Sequence, residues 1–166
     1  MRQKRKLKDG ATYKCIGTIN RYNNELTDKV AKGIFLILLE ECKKLFEFEL
    51  YDFSIQNNRV VLIIKPLGNQ ELWKIIQYLL GVFGMRYNKF FGYHGHVWYD
   101  RFKSEIISSP DEVEKIQEEL EEFPVENKLV KKAGDFIFGG LYYLERKINS
   151  VVSVFTKERF YFELVT

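Results

Sequence analysis

Asn57-Asn58-Arg59-Val60-Val61-Leu62-Ile63-Ile64-Lys65-Pro66 is the stretch that decides the fold. An Asn-Asn turn opens it, a proline closes it, and the aliphatic run between them predicts a strand buried on both faces near the middle of a sheet. Immediately upstream, Glu47 to Ile55 alternates Phe48, Leu50 and Phe53 in strand fashion, imperfectly. Gln56-Asn57-Asn58 then makes the turn, so the two segments predict a β-hairpin.

Working outward from the hairpin, Asp28 to about Phe46 carries Val30, Ile34, Ile37, Leu38 and Leu45 at helical spacing, with Thr27 as N-cap. Ahead of it lie a first strand, Ala11 to Ile19, and a polar, turn-rich stretch from Asn20 to Glu25. On the other side of the hairpin, Gly68-Asn69 turns into a helix from about Gln70 to Tyr87, with Leu72, Ile75, Ile76, Leu79, Leu80 and Phe83 directed to the core. An aromatic and glycine loop, Lys89 to Gly95, precedes a strand from Arg101 to Ser108. Pro110 and Asp111 open a third helix, Asp111 to Glu122, with Val113, Ile116, Leu120 and Phe123 on one face and seven carboxylates on the remainder. The order strand, helix, strand, strand, helix, strand, helix predicts a ferredoxin-like α+β sandwich, an antiparallel sheet with helices packed on it and an added C-terminal helical or strand segment.

Composition bounds the rest. A chain of 166 residues with 46% hydrophobic content predicts one domain over 1–166, with a basic leader at 1–9 and a C-terminal extension, 147–166, that either packs back on the sheet or forms a dimer contact. No run of about 18 apolar residues calls for a membrane span. The basic start lacks the apolar segment of a secretory signal, so a cytoplasmic protein is expected. Cys15 and Cys42 have neither metal-site nor redox-motif spacing and are expected to be reduced and semi-buried. Net charge is only +3, so the placement of charge matters more than its sum. Arg2, Lys4, Arg5, Lys6 and Lys8 form either a solvated tail or an arm for a phosphate backbone.

Particular residues add a family resemblance. Gly10-Ala11-Thr12-Tyr13 follows the basic leader; Leu72, Ile75, Gln77, Leu79, Gly81, Arg86 and Asn88 precede Gly95-His96-Val97-Trp98 and Arg101-Phe102-Lys103-Ser104; Pro124-Val125 and Asp135 to Gly140 follow. In these segments the chain resembles the REP-associated tyrosine transposases of the HUH superfamily, which cut single-stranded DNA. Only the last twenty or so residues lie outside the resemblance. It implies two histidines separated by one residue on the central strand, where alternation points both the same way toward one divalent cation. It also implies a tyrosine nucleophile on the helix after the last strand.

At the implied positions this chain departs from the pattern. The histidine positions hold Arg59 and Val61, neither of which can ligate a metal, and the nucleophile position falls near Glu119 on a helix without tyrosine. His94-Gly95-His96 has the right spacing, but by the resemblance His96 belongs to a loop outside the metal strand, and a structural or backbone-contacting role suits it better. The acidic third helix is expected to be a solvated face. No catalytic residue, metal site or cofactor is therefore expected, with Mg or Mn held by relocated ligands as the alternative.

What the resemblance leaves in place is provision for nucleic acid. Arg59, Arg86, Lys89, His96, Trp98, Arg101 and Lys103, with the basic leader, combine cations and aromatic faces suited to a backbone and unstacked bases. Trp98 serves equally well as core packing. The expected function is a transposase-like, catalytically inactive DNA-binding protein favouring single-stranded or hairpin DNA, with a homodimer left open. The alternatives are a nuclease using His94, His96 or third-helix carboxylates, and a domesticated domain for protein or RNA.

Overall fold

The computed structural model describes residues 10–19 and 25–161. Four antiparallel strands, β1 (Thr12–Thr18), β2 (Phe48–Ile55), β3 (Arg59–Pro66) and β4 (Lys103–Ile107), lie in the order β2-β3-β1-β4. This is the expected ferredoxin-like α+β arrangement, with β3 and β1 at the centre. From Val60 onward β3 is buried on both faces, as its aliphatic run requires, whereas Arg59 at its start is exposed.

Alternation along β3 serves two cores. Val60, Leu62 and Ile64 join the larger core beneath α1 (Lys29–Leu45) and α2 (Leu72–Phe91). Val61 and Ile63 join a smaller cluster with Val113, Ile116 and Leu120 of α3 (Pro110–Glu126), on the opposite face.

Several boundaries and faces differ from the expected ones. Asp28, not Thr27, caps α1: its carboxylate accepts from Val30 N at 2.7 Å and Ala31 N at 3.3 Å. The inward face of α1 is Ala31, Phe35, Leu38, Leu39 and Cys42, while Val30, Ile37 and Leu45 are exposed. The spacing Phe35, Leu38, Leu39, Cys42 is itself helical, and the bulkier ring chooses between two overlapping stripes. α2 runs one turn past Tyr87 and ends where Gly92 takes φ 70°, a left-handed C-cap that accommodates a glycine without strain. The six residues expected to face the core from α2 are all buried. α3 starts at Pro110 behind a Ser109 N-cap and continues to Glu126. Both cysteines are fully buried rather than semi-buried, and burial pushes the Cys42 thiol up to about 12.

The outer edge of β2 is covered by the chain after α3. Ile55 N donates to Phe138 O at 2.8 Å, Ser54 bridges Gly139, and Ser153 N donates to Leu50 O at 2.9 Å. These bonds satisfy a strand edge that would otherwise be open to pairing. Val151 and Val152 enter the larger core. In α5 (Lys157–Tyr161), Phe160 closes the α3-side cluster, and buried Lys65 donates to the Arg159 carbonyl at 2.6 Å. As far as Tyr161, the extension packs back on the sheet. Among the described residues, no helix is long and apolar enough to cross a membrane.

Candidate nucleic-acid interface

The α3-side face of the sheet is sealed at one end and open at the other. Its rows follow from the strand register: Ser54, Val61, Ile16 and Lys103 stand abreast, and Arg59 stands opposite Thr18 in the next row. Val61 is buried among the α3 residues, while Arg59, two positions earlier on the same face, reaches solvent. Its Nε donates to Gln56 Oε1 at 2.9 Å, which fixes the start of the side chain's polar end beside the hairpin turn.

Next to this open row lies a pocket of about 300 Å³ lined by Ile16, Thr18, Tyr99, Asp100, Arg101 and Lys103. It exists because the chain after Trp98 pairs with the end of β1: Ile19 bridges Trp98, and Tyr99 N donates to Thr18 O at 2.8 Å. Tyr99, Arg101 and Lys103 are exposed around it. The carboxylate of Asp100 accepts from Arg101 N at 2.7 Å, so it is engaged locally while three cations, Arg59, Arg101 and Lys103, border the open row. Such a rim can hold phosphate oxygens by charge-assisted hydrogen bonds, and the phenol ring of Tyr99 is a platform for a base.

The expected binding residues do not form one surface. Arg59, Arg101 and Lys103 come together. Arg86 and Lys89 belong to the helical layer behind the sheet, where they line a groove with Ile34, Ile37 and Phe90, and Arg86 pairs with Glu41 of α1 at 2.7 Å. His96 is exposed on the connection after α2. Arg2, Lys4, Arg5, Lys6 and Lys8 lie outside the described residues. Of the two roles expected for Trp98, its contacts are those of core packing: its indole N–H donates to Leu80 O at 2.7 Å, and its ring packs at 5.3 Å from Phe83 and 6.3 Å from Phe35. Gly17 makes that seat, since a Cβ there would stand 3.3 Å from Trp98, Leu80 and Val60. Ile16, Thr18, Tyr99 and Asp100 are the pocket residues that sequence reasoning passed over. Strand alternation would have found Thr18, which shares its face with Ile16.

The cation implied by the resemblance does not fit these residues. At its positions stand a guanidinium, which has no lone pair to offer, and an isopropyl group sealed under α3. Glu119 is exposed on α3, outside the buried stripe of Val113, Ile116 and Leu120. His94 and His96 lie on the connection after α2 and the α3 carboxylates on the other side of the sheet; among the described residues no three His, Cys, Asp or Glu side chains gather to hold a metal.

One buried carboxyl remains on this face. Asp52 faces α3 from β2, beside Ile63, and accepts from Phe53 N at 2.8 Å and from the Gly140 N–H at the start of α4 (Gly140–Glu145). Burial pushes it up to about 8, with Glu121 of α3 adding to the rise against those two backbone N–H groups. Glu121 is itself raised, first by burial and then by Glu118 and Glu145.

Comparison with known proteins agrees with this architecture. No curated protein sequence matches the chain at a significant level. Among solved structures, a REP-associated tyrosine transposase bound to a REP hairpin superposes with a TM-score of 0.70 at 16% identity, covering 95% of this chain and 96% of that one. A proposed transposase from Deinococcus radiodurans gives a TM-score of 0.51 at 19% identity over 74% of this chain and 97% of that one. Both likenesses are at the level of fold. The family model described as "Transposase IS200 like" matches residues 8–122, from ahead of β1 to within α3, and the chain therefore belongs to the IS200-like transposase family.

Proposed function

We propose that this protein is a DNA-binding member of the family that holds single-stranded or hairpin DNA at the open end of its sheet without cutting it. The observation that carries this reading is the placement of Arg59: it stands opposite Thr18, beside the pocket that bears Arg101 and Lys103, while Val61 is closed off under α3. A guanidinium there gives a phosphate a permanent positive charge and a planar pair of donors, in the place where the family's resemblance puts a cation. Tyr99 supplies a ring for an unpaired base, and paired bases offer no such face. The REP hairpin in the structural relative supports nucleic acid as the partner class. The phosphodiester is not broken in this proposal, because α3 brings no tyrosine to the sheet. A cytoplasmic location, where DNA is within reach, belongs to the same proposal.

Equilibrium binding to a hairpin and to a single strand, both in EDTA, tests it. Binding should persist without metal, and Arg59→Ala should weaken it by about tenfold, the scale of one charge-assisted contact. A covalent protein–DNA adduct formed with Mn²⁺ would overturn the inactive assignment, and wild-type protein that binds neither DNA would overturn the binding one.

A further inference from the structure

Between Glu71 and Asp100 the chain contains no carboxylate, although it carries 23 Asp and Glu residues in all. The same stretch ends in a cluster of rings at the corner where α2 turns toward β4. Phe91 and Tyr93 stack with their planes 12° apart and centroids at 6.1 Å, and Tyr93 also lies 6.0 Å from Tyr87. Phe90 meets Phe91 edge-on at 5.0 Å. Such clusters are ordinarily buried, yet Phe90 is 64% exposed and Tyr93 55% exposed. The corner is held in shape: Gly92 caps α2, Tyr93 N donates to Asn88 O at 2.9 Å, and the Asn88 side chain donates to Gly95 O, also at 2.9 Å. Lys89 is exposed within it, and His94 and His96 flank it.

From this corner we infer a second nucleic-acid subsite, separate from the pocket at the sheet end, which takes unpaired bases by stacking on Tyr93 and Phe90 with Lys89 on the backbone phosphate. The inference rests on the proposed DNA-binding function. Fixed, exposed rings in a carboxylate-free, cationic segment suit a polyanion whose bases have accessible π-faces. A protein helix laid on the same patch would have no use for the absence of acids. The two subsites are within reach of one strand: Tyr99 follows Tyr93 by six positions, so their backbones are at most about 22 Å apart.

The test compares oligo(dT) strands of about 4 and about 16 nucleotides, the span of site sizes known for stacking proteins. Wild-type protein should bind the longer strand more tightly. Tyr93→Ala and Phe90→Ala, both changes at exposed rings, should each weaken the long strand about tenfold and leave the short one unchanged. Tyr93→Phe keeps the ring and should restore wild-type affinity. If both alanine variants bind the long strand as wild type does, or if they weaken both lengths equally, there is no separate stacking subsite, and the sheet-end pocket stands unaffected. If wild-type protein binds neither strand nor a hairpin, the proposed function falls and takes this subsite with it.

Discussion

Val61 stands directly opposite Ile16 in the antiparallel register, and both side chains pack into the cluster beneath α3. One row along, Arg59 and Thr18 form the next pair on the same face, and there the sheet meets solvent. The change from sealed to open occurs within two residues.

That boundary predicts how histidine would be received. Val61→His puts an imidazole among Ile63, Val113 and Ile116 with no designed partner, and should lower unfolding stability by roughly 1–3 kcal/mol. Arg59→His, at the exposed position, should change it by no more than about 0.5 kcal/mol. Urea denaturation of the two variants measures the contrast, and equal stabilities would mean that α3 does not close over Val61.

Trp98 separates packing from binding. Trp98→Phe keeps a ring between α1 and α2 but loses the hydrogen bond to Leu80 O. Stability should fall by about 1–2 kcal/mol, with the DNA affinity of the folded protein unchanged. Denaturation and oligonucleotide titration on the same preparation check both halves; lost affinity at full stability would place the indole at the DNA.

Asp52 makes stability depend on pH in an unusual direction. Burial holds its carboxyl near 8 in the folded protein against 3.8 for the free group, so the folded state binds a proton that the unfolded state has released. Its favourable contribution is complete below about pH 4 and is lost as pH rises to about 8. Each unit of difference is worth about 1.4 kcal/mol, so the full effect is on the order of a few kcal/mol. Asp52→Asn retains an oxygen for the Phe53 and Gly140 N–H groups and does not ionise. Melting temperature measured across pH 4–9 should fall for the wild type and stay flatter for the variant.

Two glycines near α4 should respond differently to the same change. A Cβ on Gly140 would collide with the Asp52 carboxylate and stand 3.2 Å from its Cα, both held by β2. Gly140→Ala should therefore cost roughly 1–3 kcal/mol. The three atoms nearest a Cβ on Gly134 all belong to the carboxylate end of exposed Glu145, which can swing aside, so Gly134→Ala should stay within about 0.5 kcal/mol. Thermal unfolding of the pair measures the difference.

The order of elements, the buried β3 run and the core face of α2 were all legible in the residues, because period-2 and period-3.6 patterns report burial locally. The family was legible too, through Gly95 to Ser104 above all. That Arg59 and Val61 stand where the family keeps its metal ligands is what the resemblance implies, and the chain shows only that neither residue is a histidine. The inward face of α1 was not legible, since two apolar stripes overlap and only packing against Phe83 and Trp98 selects Phe35. Nor could the sequence divide its cations. Arg86 and Lys89 face one side of the molecule and Arg59, Arg101 and Lys103 another, because strand register and the β1 pairing of the Trp98–Tyr99 connection set which side chains meet. Those are long-range relationships, and only the tertiary structure decides them.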